Sequence, residues 1–221
     1  EKVTVNSNAS SKQKKNAGNF FDSFLGIEFN YDKRKQKFAT SSGFFSNYSV
    51  DLPIYSETGT LKNTYNFKVF SELYENNVST ASIFVQSSFS INDEDIKLSE
   101  RLFLPGSKLR GFERGKVGPK DGSDFIGGNY LTAINFTSSI PKLLENSQNL
   151  DFVAFLDAAN IWGVDYDSSI DDKSDDFRSS IGIGLNWLTP IGPLSFSYAE
   201  PITKNTSDIL ERFRFNLGTT F

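Results

Sequence analysis

The chain has 221 residues, a formal net charge of −4, 38% apolar residues and a mean hydropathy of −0.36. It has no Cys and no His, which excludes disulfides, thiolate chemistry and a Ser-His-Asp triad, and removes the commonest metal ligand. No run approaches the ~20 apolar residues of a membrane helix, and the acidic balance gives no reason to expect a nucleic-acid partner.

Hydropathy this low is also what a membrane barrel shows, because its strands alternate and each window averages near neutral. The 22 Phe against no Met point to β structure with one aromatic face. Glu1 in place of Met, with no signal peptide, leads us to expect a piece of a longer protein. Residues 1–18 are polar, with a short basic run at 11–16, and are expected to form a loop or frayed end.

A period of two then recurs along most of the chain. Phe21, Leu25, Ile27, Phe29 and Tyr31 alternate with Asp22, Gly26, Glu28 and Asn30. Phe44, Tyr48, Val50 and Leu52 oppose Asn47, Ser49 and Asp51, and Tyr65, Phe67 and Val69 oppose Asn66 and Lys68. Ala81, Ile83, Val85 and Phe89 oppose Ser82, Gln86, Ser88 and Ser90. After an irregular stretch, Tyr130, Ile134 and Phe136 share a face. Phe152, Ala154 and Leu156 oppose Asp151, Phe155 and Asp157. Ile181, Ile183, Leu185 and Trp187 oppose Ser180, Gly182, Gly184 and Asn186, and Leu194, Phe196 and Tyr198 follow. In the closing RFRFNLGTTF, Phe213, Phe215, Leu217 and Phe221 point one way, and Arg212, Arg214, Asn216 and Gly218 the other.

This pattern predicts about nine strands of ~10 residues, long enough to cross a bilayer at a tilt. The polar faces carry Ser, Asn and Gly, like the lumen of a barrel; the apolar faces carry aromatics near strand ends, as at a lipid interface. A soluble β-sandwich also alternates and is the alternative fold. The tight LTPIGPL turn against the long polar connections DYDSSIDDKSDD and EPITKNTSDILE fits the barrel habit of short turns on one rim and long loops on the other.

The least strand-like segment is 101–128, RLFLPGSKLRGFERGKVGPKDGSDFIGG. A connection that long is uncommon unless it has a function. Its LRGF core, Leu109, Arg110, Gly111 and Phe112, offers an Arg that could reach a carboxylate in a narrow polar space. VDYDSSIDDKSDD, with Asp165, Asp167 and Asp171, could pass for a calcium loop, but Ile170 stands where the turn needs Gly and no Glu closes it. The Asn77 triplet NVS is a glycosylation acceptor that arises often by chance.

LPGSKLRGFERGKVGP, GGN, FLDAANIW, GIGLNWLTPIGPLSFSYAEPI and the terminal FRFNLGTTF occur in that order. The series resembles the C-terminal part of the BamA family of outer-membrane assembly barrels, strongly over ~100–221 and by rhythm alone over 19–92. Such barrels are antiparallel, transmembrane and sixteen-stranded. Residues 1–221 would then supply about the last nine strands, with 101–128 as a long extracellular loop folded into the lumen. The first strand and the periplasmic repeats that precede such a barrel are absent from this stretch, which by itself is expected to be inactive. The resemblance implies that Arg110 pairs with Asp157 on the inner wall. Asn135 stands where the family commonly has a second carboxylate, and Phe112 is expected to pack near Phe155.

The resemblance also implies that the last strand, with Phe213, Phe215, Leu217, Gly218 and Phe221, is both a β-signal and one side of a weak lateral seam. The function implied is assembly and insertion of β-barrel proteins in the bacterial outer membrane, by strand templating at that seam. Its partners would be unfolded outer-membrane clients, accessory lipoproteins, lipid and lipopolysaccharide, with no enzyme chemistry, metal or cofactor. A translocation or secretion channel of the same superfamily is the alternative.

Overall fold

The computed structural model describes residues 2–4, 7, 14, 17–36, 40–56, 58–92, 94–141, 149–165, 176–190 and 192–217. The alternating runs form nine strands: β1 (Ser23–Asp32), β2 (Gly43–Tyr55), β3 (Thr60–Ser71), β4 (Ser79–Ser90), β5 (Tyr130–Ser139), β6 (Leu150–Trp162), β7 (Arg178–Thr189), β8 (Gly192–Thr203) and β9 (Phe213–Leu217). They build one nine-stranded sheet in which each strand pairs antiparallel with the next in sequence. The sheet is open: β1 and β9 each have one neighbour among the described residues. Gly218 and Phe221 lie outside the described residues, as do Asp167, Asp171 and most of the basic run at 11–16.

One face of this sheet is apolar and uncovered. Ile83, Ile134, Phe136, Leu156, Ile181, Ile183, Phe213 and Phe215 are all exposed. They lie side by side: Ile83 is opposite Ile134, Phe136 opposite Leu156, and Leu156 opposite Ile181. A sandwich would bury such a face under a second sheet, and a soluble surface rarely leaves so broad an apolar band in water. Aromatic residues mark its two margins. Tyr130 stacks on Trp162 at one rim, with ring centroids 5.8 Å apart, and Trp187 sits opposite Leu150 at the other. Leu150 to Trp162 is the whole length of β6, roughly 40 Å along the strand and about 30 Å along the normal at barrel tilt, which matches a hydrocarbon layer.

A charge in this band therefore meets lipid. Ile183, 62% exposed at the middle of β7, is the test position. Ile183→Arg is expected to destabilise the full-length protein in vesicles by about 2–4 kcal/mol, and Trp187→Arg, on the same face at the rim, by about 1 kcal/mol or less. Denaturant titration of refolding measures both; equal small effects would mean that the band does not face lipid.

The connections depart from a clean split between the rims. β7 and β8 are joined by the expected tight turn, with Thr189 opposite Gly192 at φ +124°. On that same rim, however, 33–42 and 140–149 are longer, and on the opposite rim 56–59 is a short hairpin. Near the N-terminus Lys2–Val3 pairs with Gly18–Asn19, a short ladder within the stretch expected to be a loop or frayed end. Asn77 is buried and donates its side-chain amide to Ser138 and to the Ser139 carbonyl.

The other face of β5 and β6 is not uniformly polar. Leu131, Ala133, Ala159 and Ile161 there are fully buried, and against them pack Leu102, Leu104, Leu109, Phe112 and Val117 of the long connection. The core of the described chain is thus the contact between this folded-back segment and the concave wall.

Candidate functional site

The segment 101–128 is held by short backbone ladders. Leu102 and Gly128 bridge its base, Lys120–Asp121 pairs with Asp124–Phe125, and Gly111–Phe112 pairs with Leu210–Glu211. These ladders satisfy backbone groups that would otherwise be stranded in the interior. Gly111 has φ +93°, and a Cβ there would stand 3.2 Å from the Ala199 methyl. Both facts require Gly where the chain turns against β8.

Arg110 and Asp157 meet at the centre. The Asp157 carboxylate is 0% exposed and accepts four hydrogen bonds. Three come from Arg110: the backbone N–H at 3.0 Å, Nε at 2.7 Å and Nη2 at 2.7 Å. The fourth comes from Asn135 Nδ2 at 2.8 Å. Asn135 lies directly opposite Asp157 in the β5–β6 register and also donates to the Lys108 carbonyl at 2.8 Å. Because an amide stands at this position, the site holds one carboxylate and one guanidinium in a fork geometry. Phe155, two residues along the same face, lies under the guanidinium with the ring centroid 3.4 Å away. Phe155 therefore supports Arg110, while Phe112 belongs to the apolar cluster with Leu109.

Two further wall residues complete the seat. Ser180 Oγ donates to the Arg110 carbonyl at 2.6 Å. Gly182, opposite Phe155 across β6–β7, leaves space for its ring; a Cβ there would overlap the ring edge. Gly182→Val is expected to displace Phe155 and lower the denaturation midpoint by an amount equivalent to about 1–3 kcal/mol, whereas Ser179→Val, three residues away on the other face with only an exposed hydroxyl contact to Thr203, changes little. The signal for Gly182 was present in the GIGLNW alternation, but its partner was not.

On the side of the Thr189–Gly192 turn, a cavity of about 590 Å³ lies under the loop tip. Lys68, Lys108, Arg114, Arg214 and Asn216 line it. Burial, and then the neighbouring Lys68 charge, push the Lys108 ammonium down to about 8, against the pull of Asp157.

The terminal strand presents Phe213, Phe215 and Leu217 outward, and Phe215 packs on Phe196 with centroids 5.0 Å apart. Arg214 points inward and donates to the Phe112 carbonyl at 2.6 Å. Arg212 does not share that face. Its guanidinium lies with Glu200 at 2.8 Å on the exposed side, where Tyr198 and Ile202 also point. Leu210–Glu211 leaves the sheet for the loop, and this break resets the phase of the alternation. Elsewhere, Arg178 and Asp208 form an ion pair with both side chains buried, which no sequence pattern announced. Asp165 pairs with buried Arg101.

A family model for the Omp85 superfamily domain matches residues 1–221. The chain belongs to the Omp85 superfamily. Outer membrane protein assembly factor BamA of Neisseria meningitidis serogroup B is 30% identical to this Omp85 chain over 155 residues, covering 58% of the chain and 19% of the relative. BamA of Nitratidesulfovibrio vulgaris is 24% identical over 230 residues, covering 100% of the chain and 28% of the relative. The sorting assembly machinery 50 kDa subunit of Saccharomyces cerevisiae is 24% identical over 224 residues, covering 93% of the chain and 44% of the relative. The crystal structure of BamA from Haemophilus ducreyi lacking POTRA domains 1-3 superposes with a TM-score of 0.77 at 26% identity, over 87% of this chain and 41% of that one. The Omp85 chain thus spans less than half the length of these relatives. The matches bear out the BamA resemblance and the antiparallel barrel fold read from the motifs.

Proposed function

We propose that this Omp85 chain is part of a factor that assembles and inserts β-barrel proteins in the bacterial outer membrane. Clients would be templated along β9. The relatives named as BamA and as a sorting assembly subunit support the broad reading. The finer one is supported by the terminal strand β9, which pairs with β8 through Phe213–Leu217 and turns Phe213, Phe215 and Leu217 to the apolar side, the alternation that a second strand would have to match. Unpaired N–H and C=O groups on an edge strand are a template for another strand, and side chains then set register. The Arg110–Asp157 seat fixes the loop inside, so that β9 rests against an ordered lumen. Accessory lipoproteins, lipid and lipopolysaccharide are further proposed partners.

The full-length protein in liposomes should accelerate folding of an unfolded barrel client, read as a gel-mobility shift. Cysteine at Asn216 should form disulfides with alternate positions of the client's last strand, following the period of two. Acceleration without cross-links at β9 would remove the templating step. Ion conductance and export of substrate with no client folding would favour the translocation channel instead.

A further inference from the structure

We propose that Arg214 is a positioning residue that ties the terminal strand to the folded-back loop, so that strand and loop move as one unit. The proposal rests on the reading of β9 as the seam strand, and it adds how that strand's position is set.

The terminal segment divides at Arg212. Beyond it, Phe213–Leu217 pairs with Leu194–Tyr198 in the sheet. Before it, Leu210–Glu211 pairs with Gly111–Phe112 of the loop. Two further backbone bonds extend that contact: Glu113 N–H donates to the Ile209 carbonyl at 2.9 Å, and Ile209 N–H to the Lys116 carbonyl at 3.2 Å. One short stretch is therefore sewn to the barrel wall at one end and to the loop at the other.

Arg214 closes this junction. Its Nη1 donates to the Gly106 carbonyl, its Nη2 to the Phe112 carbonyl at 2.6 Å, and Nε and Nη2 to Glu211 Oε2. The side chain is 12% exposed. A planar fork of donors suits this task, since it bonds two carbonyls and a carboxylate at once. Gly106 is fitted to it: a Cβ at that position would overlap the guanidinium. The loop is thus anchored twice about Gly111. Arg110 grips Asp157 on β6, and the carbonyl of Phe112 receives Arg214 from β9. If the loop withdrew, Arg214 would lose the Gly106 and Phe112 carbonyls and be left facing a cavity whose wall carries Lys68. Displacing β9 likewise strips the loop of its donors. The coupling must be reciprocal.

Hydrogen exchange on the full-length protein in nanodiscs, without client, tests this. Arg214→Met should speed exchange on the order of tenfold both in 213–217 and in 109–112, the effect of losing charge-assisted hydrogen bonds. Gly106→Ala, changed on the loop side only, should speed both segments too. Arg214→Lys should recover part of the protection, and Arg212→Met, on the outer side of the same segment, should change neither. Asp157→Asn should speed exchange in 213–217 when Arg214 is present and not when it is Met. Faster exchange confined to 213–217 in Arg214→Met, or an equal Asp157→Asn effect with and without Arg214, overturns the proposal. If Arg214→Met does not fold, Gly106→Ala decides alone, and an unchanged 213–217 overturns it. No client takes part, so loss of coupling and loss of insertion activity are separate results.

Discussion

Arg110→Glu is expected to destabilise the folded barrel by about 3–5 kcal/mol, the cost of leaving a buried charge without its partner. Asp157 is fully enclosed, and three of its four hydrogen bonds come from Arg110. The backbone N–H would survive the substitution, but the fork would be replaced by a second carboxylate beside the first. Arg110→Lys should fall between the two, because an ammonium cannot span both oxygens or lie flat on Phe155. Adding Asp157→Arg to Arg110→Glu should restore part of the loss. Recovery is incomplete because Asn135 would lose the acceptor it now shares with Arg110. The measurement is the denaturation midpoint of the full-length protein in nanodiscs. The exposed Arg212–Glu200 pair supplies the contrast: Arg212→Met should shift the midpoint by about 1 kcal/mol or less. An Arg110→Glu shift as small as that would mean that the pair does not hold the loop.

The sheet was legible because alternation is a local code. Each residue's face follows from its neighbours, so Ile183 outward and Asp157 inward could be read without knowing what lay opposite. Arg110 and Asp157 came together through the ordered motifs, and Asn135 through its expected place beside Asp157. Three things were not legible. The wall residues Leu131, Ala133, Ala159 and Ile161 are apolar because a loop covers them, and that loop carries no period. Arg212 was placed inward because its phase was extended from Arg214, and a break in pairing at one residue reverses that phase. The partners of Arg214 and Arg178 come from segments far along the chain, so spacing gave no sign of them.

That last pair should carry an effect of similar size to the Arg110 seat. Arg178, at the start of β7, donates from Nε to Asp208 Oδ2 at 3.1 Å and from Nη2 to Oδ1 at 3.3 Å. The Arg178 side chain is 3% exposed and that of Asp208 0%. Its remaining Nη1 donates to Asn160 and to the Asp176 carbonyl, so all three guanidinium nitrogens are engaged. Asp208→Ala would leave this cation enclosed with neutral acceptors only, and is expected to cost about 3–5 kcal/mol. It should also loosen 204–209, because Asp208 accepts the Asn205 N–H at 2.7 Å and thereby shapes the turn before Leu210. A double change to apolar residues, Arg178→Met with Asp208→Leu, should recover most of the stability, since neither charge then remains buried. It should not recover all of it, because Asn160 Oδ1 loses a donor. The turn would stay altered as well, so the ladder from Leu210–Glu211 to the loop should exchange faster in the double variant even where the midpoint is restored. If the double variant is no more stable than Asp208→Ala, the loss arises from the turn and not from the unpaired guanidinium.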